Sequence, residues 1–183
     1  MRIVGGELRG RTLQSVDGQG TRPTADRVRQ SLFDRLGQRC DDLAVLDLYA
    51  GTGALAFEAL SRGAIRAVLV EENKFALAAI EQNAKTLRVL PRCRVLKDDV
   101  TRALAALAAR GEKFELVFSD PPYALKNSQA ILDRLATAQL VAPSGRVVLE
   151  RDRHDPAPIP PTGFSLVHER EYGDTALSIF MRE

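Results

Sequence analysis

The segment from Ala44 to Gly53 constrains the fold of this chain more than any other. Residues 44–48 are short, branched and apolar, Gly51 and Gly53 follow, and a helical pattern runs from Ala54 to Arg62. A strand, a tight glycine turn and a helix form half of a nucleotide-binding unit, because the glycines let the backbone turn sharply and approach a ligand. Alone, such a turn could also simply connect a strand to a helix. Together with the patterns that follow, it predicts an α/β fold around a parallel sheet.

An acidic residue follows at the end of the next predicted strand. Residues 67–70 are a second apolar run, and they end at Glu71, which lies 24 residues after Asp47 (71 − 47). A carboxylate at this position typically accepts hydrogen bonds from two ribose hydroxyls. It would repel a 2′-phosphate, so the spacing favours an adenosine-type cofactor over a phosphorylated dinucleotide.

A third predicted strand, Arg94 to Leu96, ends at the pair Asp98 and Asp99. Either carboxylate could reach the amino group of an adenine. Either could equally cap the helix predicted from Val100 to Ala109, because Asp is among the preferred N-cap residues. The sequence leaves these two roles open.

The segment Ser119-Asp120-Pro121-Pro122-Tyr123 closes a fourth apolar run, residues 114–118. An exocyclic amine on a nucleobase is a weak nucleophile because its lone pair is delocalised into the ring, so it needs positioning more than deprotonation. The Asp120 carboxylate and the Pro121 carbonyl can each accept one N–H of such an amine, and the prolines add no competing donor. Tyr123 offers a flat face for base stacking. The pattern predicts catalytic roles for Asp120, Pro121 and Tyr123 in an amino-methyltransferase.

Asp and Pro are also common turn formers, so the same segment could be only a turn that ends a strand. Its placement favours the catalytic interpretation. It ends a predicted strand at the same sheet edge as the glycine turn and Glu71, and ligands of open α/β sheets bind at that edge.

Length and cysteine content bound the class of protein. The 183 residues suit one compact enzyme, and no run approaches the roughly 20 apolar residues that a membrane span needs. Because the amino terminus lacks the apolar stretch of a secretory signal, we expect a cytoplasmic protein. Cys40 and Cys93 are isolated, so we expect neither a disulfide framework nor a metal site.

The first part of the chain is basic. Residues 1–39 hold eight arginines and four acidic residues, although the net charge of the whole chain is only +2. Guanidinium groups bind phosphate in a bidentate manner and stack on bases, so a nucleic-acid partner is plausible, with a general compositional bias toward arginine as the alternative. Two short strands, 2–8 and 11–16, and a helix from Thr24 to Leu36 are predicted here. Arg22, Arg27 and Arg29 would line the substrate entrance.

This organisation predicts two units, an RNA-binding hairpin and helix in residues 1–39 and a methyltransferase domain in residues 40–183.

The later part of the chain adds one more helix and three more strands. The pattern predicts a helix over 128–138 and strands over 146–150, 165–171 and 175–181. The last two strands flank a tight turn, which makes them a hairpin. The whole is consistent with a seven-stranded, mostly parallel Rossmann-like sheet whose last strand is antiparallel.

The chain resembles the bacterial RsmD family of 16S rRNA guanine-N2 methyltransferases over nearly its whole length. The segments that carry the resemblance are Arg2-Ile3-Val4-Gly5-Gly6 with Arg9-Gly10-Arg11, residues 22–29, residues 46–55, Glu58-Ala59-Leu60-Ser61-Arg62-Gly63-Ala64, and Asp120-Pro121-Pro122-Tyr123. The first two are far more specific than general methyltransferase signatures. The resemblance implies S-adenosylmethionine as methyl donor and, as acceptor, a guanine of the 966 type in the rRNA of an assembling small ribosomal subunit.

Carried over residue by residue, the resemblance also implies binding roles. Asp47, Ala50, Gly51 and Gly53 would hold the methionine end of the cofactor, Glu71 its ribose and Asp99 its adenine, while Asp120 and Tyr123 would hold the target base. This sequence departs from the family pattern at two positions. Asn73 stands where Asp is expected, and Ala56 stands where Gly is usual.

Two other functions remain open at this point. DNA adenine-N6 and cytosine-N4 methyltransferases use a similar acidic-Pro-Pro-aromatic segment on a flipped base. Such enzymes usually carry a separate recognition domain, for which 39 residues leave little room. A non-catalytic RNA-binding assembly factor that retains a cofactor fold is the other alternative. A monomer is expected, because no exposed apolar stripe is evident in the sequence.

Overall fold

A computed structural model describes residues 1–15, 23–122 and 125–183 of the chain. Within these residues, seven strands form a single sheet in the order β3-β2-β1-β4-β5-β7-β6. The strands are β1 (Ala44–Leu48), β2 (Arg66–Glu71), β3 (Cys93–Lys97), β4 (Phe114–Ser119), β5 (Val141–Asp152), β6 (Phe164–Tyr172) and β7 (Thr175–Arg182). Strands β1 to β5 pair in parallel, whereas β7 lies antiparallel between β5 and β6. The predicted Rossmann-like architecture with an antiparallel last strand is confirmed.

Helices cover both faces of this sheet. They are α1 (Pro23–Leu36), α2 (Ala54–Ser61), α3 (Lys74–Leu87), α4 (Val100–Ala109) and α5 (Ser128–Thr137), with a short 3₁₀ turn at Leu90–Arg92. Alternate residues of each buried strand point to opposite faces, so the chain has two apolar layers. The layer under α1, α2 and α3 includes Phe33, Phe57 and Phe118, and the layer under α4 and α5 includes Leu104 and Leu132. No helix of the described residues is long and apolar enough to cross a bilayer.

The first fifteen residues form a shorter antiparallel pairing than the predicted hairpin. One bridge joins Arg2 to Thr12, and the flanking N–H groups of Ile3, Gly10 and Leu13 donate across the pair to the carbonyls of Arg11, Ile3 and Met1. The pairing is short because helix α2 takes the backbone donors that a hairpin partner would have used. Val4 and Gly5 donate to the carboxylate of Glu58, each at 2.8 Å. The segment is therefore paired with itself over a few residues and is also bound to helix α2 through Val4 and Gly5.

Candidate functional site

The glycine turn lies between β1 and α2, at the carboxyl edge of the sheet. Ala50 N–H donates to the carbonyl of Val70 at 3.0 Å, which ties the turn to the neighbouring strand β2. Gly53 has a φ of 78°, and a Cβ there would lie 2.4 Å from Cε2 of Phe57, so a side chain cannot be accommodated. Gly51 has a φ of 56°, and a Cβ there would meet nothing closer than the carbonyl oxygen of Tyr49 at 4.0 Å. The backbone is thus bare on the side open to a ligand.

Asp47 anchors this turn from inside the sheet. Its side chain is 2% exposed, and its Oδ2 accepts a hydrogen bond from Ala56 N–H at 3.1 Å. Burial raises the pKa of Asp47 well above its ordinary value, and the negative charges of Asp120 and Glu71 raise it further, against the opposing effect of the Ala56 N–H. The carboxyl groups of Asp120 and Glu71 therefore lie close enough to act on Asp47, and an acidic environment of this kind favours a positively charged ligand.

Glu71 is held in place by the main chain. Its Oε2 accepts Gly51 N–H at 2.8 Å, while Oε1 accepts the N–H groups of Glu72 and Asn73 at 3.0 and 2.9 Å. These three donors orient the carboxylate and link the end of β2 to the glycine turn. Because a carboxylate has about four acceptor positions and three are used, Glu71 retains about one for a ribose hydroxyl.

The capping interpretation of Asp99 is confirmed. Its Oδ1 accepts from Thr101 N–H at 2.9 Å and Arg102 N–H at 3.2 Å, at the start of α4. Asp98 instead pairs with the Arg102 guanidinium at 2.6 Å, which lowers the pKa of the Asp98 carboxyl. The capping role leaves an adenine contact by Asp99 as a prediction.

The two departures from the family pattern keep their local structural roles. Asn73 caps helix α3, with its Oδ1 accepting from Phe75 N–H and Ala76 N–H at 2.9 and 3.3 Å. An Asp would accept the same two bonds. Ala56 is completely buried and supplies the N–H that binds Asp47.

Asp120 follows β4 directly and faces a cleft of about 540 Å³. The last residue of β4, Ser119, pairs in register with Leu48 of β1 and Leu149 of β5, so Asp120 lies just beyond the central strands of the sheet. Pro121 is buried and Pro122 is exposed. Tyr123, the predicted stacking residue, lies outside the described residues.

The environment of Asp120 shifts its titration. Although the side chain is open to solvent through the cleft, the protein packed around it raises the pKa of Asp120 to about 8, with a further contribution from the negative charge of Glu150. Glu150 lies near the end of β5 and lines the same cleft. Perturbed carboxyl groups in a cleft are typical of functional sites. Sequence reasoning missed Glu150, since only the pairing of β4 with β5 brings it beside Asp120.

The opposite wall of the cleft is built by the first residues, by α1 and α2, and by the turn between β6 and β7. The residues that line this wall include Met1, Val28, Leu32, Leu55 and Tyr172. The Tyr172 hydroxyl and the Ser31 hydroxyl lie 2.8 Å apart, which joins the last hairpin to the first helix. Both ends of the chain therefore shape the space in front of Asp120.

Of the predicted RNA-contacting arginines, Arg27 is exposed on α1 and Arg22 lies outside the described residues. Arg29 differs from the prediction. It is 4% exposed, and its guanidinium donates to the carbonyl of Arg2 and to the carboxylates of Asp26 and Glu58. Its Nε and Nη2 donate within the protein and its side chain is buried, so Arg29 shapes the cleft wall instead of presenting its charge to a phosphate.

The sheet order, the glycine turn, the acid at the end of β2 and the Asp-Pro-Pro segment at the end of β4 together define a Rossmann-like methyltransferase of class I. Two structures provisionally described as methyltransferases, one from Streptococcus mutans and one in complex with SAH, share this fold at 11% identity with a TM-score of 0.74. Residues 1–181 match the model of a family described as Conserved hypothetical protein 95. The chain belongs to this family, and its predicted resemblance to RsmD proteins is confirmed.

Similar proteins cover the chain from end to end. The Bacillus subtilis protein YlbH, provisionally named an rRNA methyltransferase, is 35% identical over 100% of this chain and 99% of its own length. The Escherichia coli protein named ribosomal RNA small subunit methyltransferase D is 34% identical over 100% of this chain and 90% of its own. A solved E. coli structure, yhhF, provisionally described as a methyltransferase, is 34% identical with a TM-score of 0.87, covering 100% of this chain and 98% of that one.

Proposed function

We propose that this protein transfers a methyl group from S-adenosylmethionine to the exocyclic N2 amine of a guanine in 16S rRNA. The observation that carries the proposal is the position of Asp120. It lies at the carboxyl edge of the sheet, beside a cleft, and its charge acts on the buried Asp47 below the glycine turn. The names of the relatives support ribosomal RNA as the substrate class, and the guanine of the 966 type follows from the family resemblance.

The cofactor site comprises the glycine turn and the acids around it. Asp47, Ala50, Gly51 and Gly53 would hold the amino acid end, Glu71 the ribose and Asp99 the adenine. The bare backbone at Gly51 and the acidic side chains around the turn fit a ligand that carries positive charge and needs close approach. When bound, S-adenosylmethionine supplies an electrophilic methyl group on a sulfonium.

The protein side of the reaction is positioning. Asp120 and the Pro121 carbonyl accept the two N–H groups of the amine, which directs the nitrogen lone pair out of the plane of the base. Tyr123 stacks on the base, an interaction typically worth about 1–3 kcal/mol. As the new N–C bond forms, the amine nitrogen loses one proton to the Asp120 carboxylate, which then releases it to solvent. Because the pKa of Asp120 is raised to about 8, only its ionised fraction can accept this proton, and that fraction grows as the pH approaches 8.

The basic residues 1–39 would bind the RNA backbone next to the cleft, with Arg22 and Arg27 as phosphate contacts. This unit shares its apolar layer with the catalytic domain of residues 40–183, since Ile3, Leu13 and Phe33 pack in the same cluster as Leu177. The RNA-binding unit would therefore be fixed relative to Asp120. We propose that the enzyme acts as a cytoplasmic monomer on the small subunit or one of its assembly intermediates.

The test is transfer of labelled methyl from S-adenosylmethionine to three acceptors, followed by nucleoside analysis. The acceptors are undermethylated small ribosomal subunits, naked 16S rRNA and duplex DNA. N2-methylguanosine from either ribosomal acceptor is the expected product, and the better acceptor identifies the assembly stage. Labelled N6-methyladenosine or N4-methylcytidine would overturn the base assignment. Cofactor binding with no transfer to any acceptor would favour the alternative function, a non-catalytic assembly factor.

A further inference from the structure

Glu150 is a carboxylate of the cleft that the proposed reaction does not use. It lies on β5, whose pairing with β4 places Ser119 opposite Leu149. The next residues are Asp120, just after the end of β4, and Glu150, which is still in β5. Side chains at equivalent positions of paired strands stand side by side, and neighbouring strands are about 4.8 Å apart. Both residues line the same cleft, so the cleft contains a pair of neighbouring carboxylates.

The two side chains also share a face of the sheet. Phe118 and Val148, two residues before each carboxylate, both belong to the apolar layer under α1, α2 and α3. With the strand period of two, Asp120 and Glu150 continue this face toward the cleft. In agreement with this placement, the negative charge of Glu150 contributes to the raised pKa of Asp120.

From this placement we infer that Glu150 is a specificity residue, which accepts a hydrogen bond from the N1–H of the target guanine while Asp120 and Pro121 accept from the N2 amine. The inference rests on the proposed function and extends it from the reacting amine to the choice of base. Glu150 makes and breaks no covalent bond in this assignment. It recognises the N1–H group, which is adjacent to the reacting N2 amine.

The chemistry of the bases explains why a second acceptor selects guanine. The amine of guanine lies beside N1–H, a donor, so its reacting edge presents three donor hydrogens. In adenine and cytosine the amine lies beside an unprotonated ring nitrogen, which is an acceptor. A carboxylate facing that nitrogen would be repelled and left without a partner, and a site built around a hydrogen bond strongly rejects analogues that cannot make it. Asp120 alone binds any exocyclic amine, whereas Asp120 with Glu150 fits only guanine.

The experiment uses 2-aminopurine, which keeps the 2-amino group of guanine but has no hydrogen on N1. Two RNA fragments are compared, one with guanine and one with 2-aminopurine at the position that the wild-type protein methylates. Each is assayed with the wild-type protein, with Glu150→Gln and with Glu81→Gln, a control at an exposed position on α3. The readouts are kcat/KM and, separately, the Kd of each RNA.

We expect the wild-type protein and the Glu81→Gln control to prefer guanine by about 10- to 100-fold in kcat/KM, the range expected for a hydrogen bond to a charged group. Glu150→Gln should reduce this preference at least tenfold, because the amide can donate to the bare N1 of 2-aminopurine. An unchanged preference in Glu150→Gln, with N2-methylguanosine still formed, would overturn the role of Glu150 and leave the proposed function intact.

The experiment also distinguishes a failure of the proposed function from a failure of the Glu150→Gln variant to fold. If the wild-type protein methylates no guanine, the proposed function fails, and the role of Glu150 fails with it. If Glu150→Gln does not fold, Glu150→Asp replaces it, since it keeps the charge but shortens the side chain by one methylene. Glu150→Asp should lower kcat/KM for guanine and change that for 2-aminopurine little. An equal loss on both bases would indicate an effect on Asp120 alone and overturn the inference.

Discussion

The buried carboxylate of Glu58 is paired with the guanidinium of Arg62, one turn later in the same helix, at 2.8 Å. Glu58 also accepts from Arg29 at 3.4 Å and from two backbone N–H groups of the first residues. All these residues belong to the segments that carry the family resemblance. The most specific motifs of the chain thus meet in one ion network, which holds the amino-terminal segment and α1 against α2.

Replacing Glu58 with Gln should destabilise the fold. It would leave two buried guanidinium groups without their shared anion, and breaking a buried ion pair on one side typically costs about 3–5 kcal/mol. Thermal unfolding of Glu58→Gln and of Glu81→Gln, an exposed control, measures the effect. Hydrogen exchange at the Val4 and Gly5 amides should accelerate in the first variant only. Equal melting temperatures for the two variants would show that the network contributes no stability.

Replacing Asp120 with Ala should abolish methyl transfer and leave the affinity for S-adenosylmethionine nearly unchanged. Asp120 positions the acceptor amine in the proposed reaction, and losing a positioned acid–base group typically reduces the rate by about 10²–10⁴-fold. Single-turnover transfer and isothermal titration measure the two quantities. Asp133→Ala, at an exposed position on α5, is the matched control. Normal turnover by Asp120→Ala would refute the role of this side chain.

The raised pKa of Asp120 predicts a pH-dependent stability difference. The folded protein keeps the Asp120 proton up to about pH 8, whereas the unfolded chain loses it near pH 4. Stability of the wild-type protein should therefore fall as the pH rises through this window, relative to Asp120→Asn, which cannot ionise. Melting curves from pH 4 to 9 should show the Asn variant gaining stability over the wild type, with the gain levelling off above pH 8. Parallel curves would contradict the raised pKa.

Replacing Glu71 with Gln should weaken cofactor binding. The substitution removes a charged acceptor that is aimed by three backbone donors, and a hydrogen bond to a charged group is worth about 1.5–3 kcal/mol. The Kd for S-adenosylmethionine should rise by roughly 10- to 100-fold. Glu72→Gln, at the exposed neighbouring position, should bind normally. A defect confined to turnover would rule out the ribose contact.

Arg27 and Arg29 should respond differently to substitution. Arg27→Ala should lower RNA affinity and reduce the slope of log K against log salt by about 0.7–0.9, as expected for one lost phosphate contact. Arg29→Ala should lower the melting temperature, because its guanidinium is buried between oxygen acceptors. Binding at several salt concentrations, with Arg110→Ala at the exposed end of α4 as control, measures the first effect. A salt slope unchanged in Arg27→Ala would remove this residue from the RNA interface.

Most of the sheet could be predicted from local patterns. Short apolar runs followed by a glycine turn, Glu71 or Asp120 are typical of parallel strands whose carboxyl ends form a site, and the strands have the predicted order of elements. The helix predicted from Thr24 to Leu36 is present as Pro23–Leu36. The cap at Asp99 was also readable from sequence, because capping depends on nearby residues only.

Features set by long-range contacts could not be predicted. Glu150 meets Asp120 through strand pairing between positions 30 residues apart, and nothing in its own segment distinguishes it from a solvated strand residue. Arg29 was predicted to contact phosphate. Its burial could not be foreseen, because it depends on an ion pair with Glu58 in another helix. The two amino-terminal segments pair in an antiparallel manner, as predicted, but over fewer residues, because the N–H groups of Val4 and Gly5 bind a side chain that is distant in the sequence.

The contact between Ser31 and Tyr172 has a consequence for the order of folding. It spans 141 positions, and Leu32 and Phe33 share an apolar layer with Leu177 and Ile179 of the last strand. Strand β7, which follows the other six strands in the sequence, must insert between β5 and β6 before the first helix has its full set of neighbours. Contacts so distant in sequence form late, because closing long loops is entropically unfavourable. The cleft in front of Asp120 is therefore completed only once β7 has paired, so its RNA-facing wall should form late in folding.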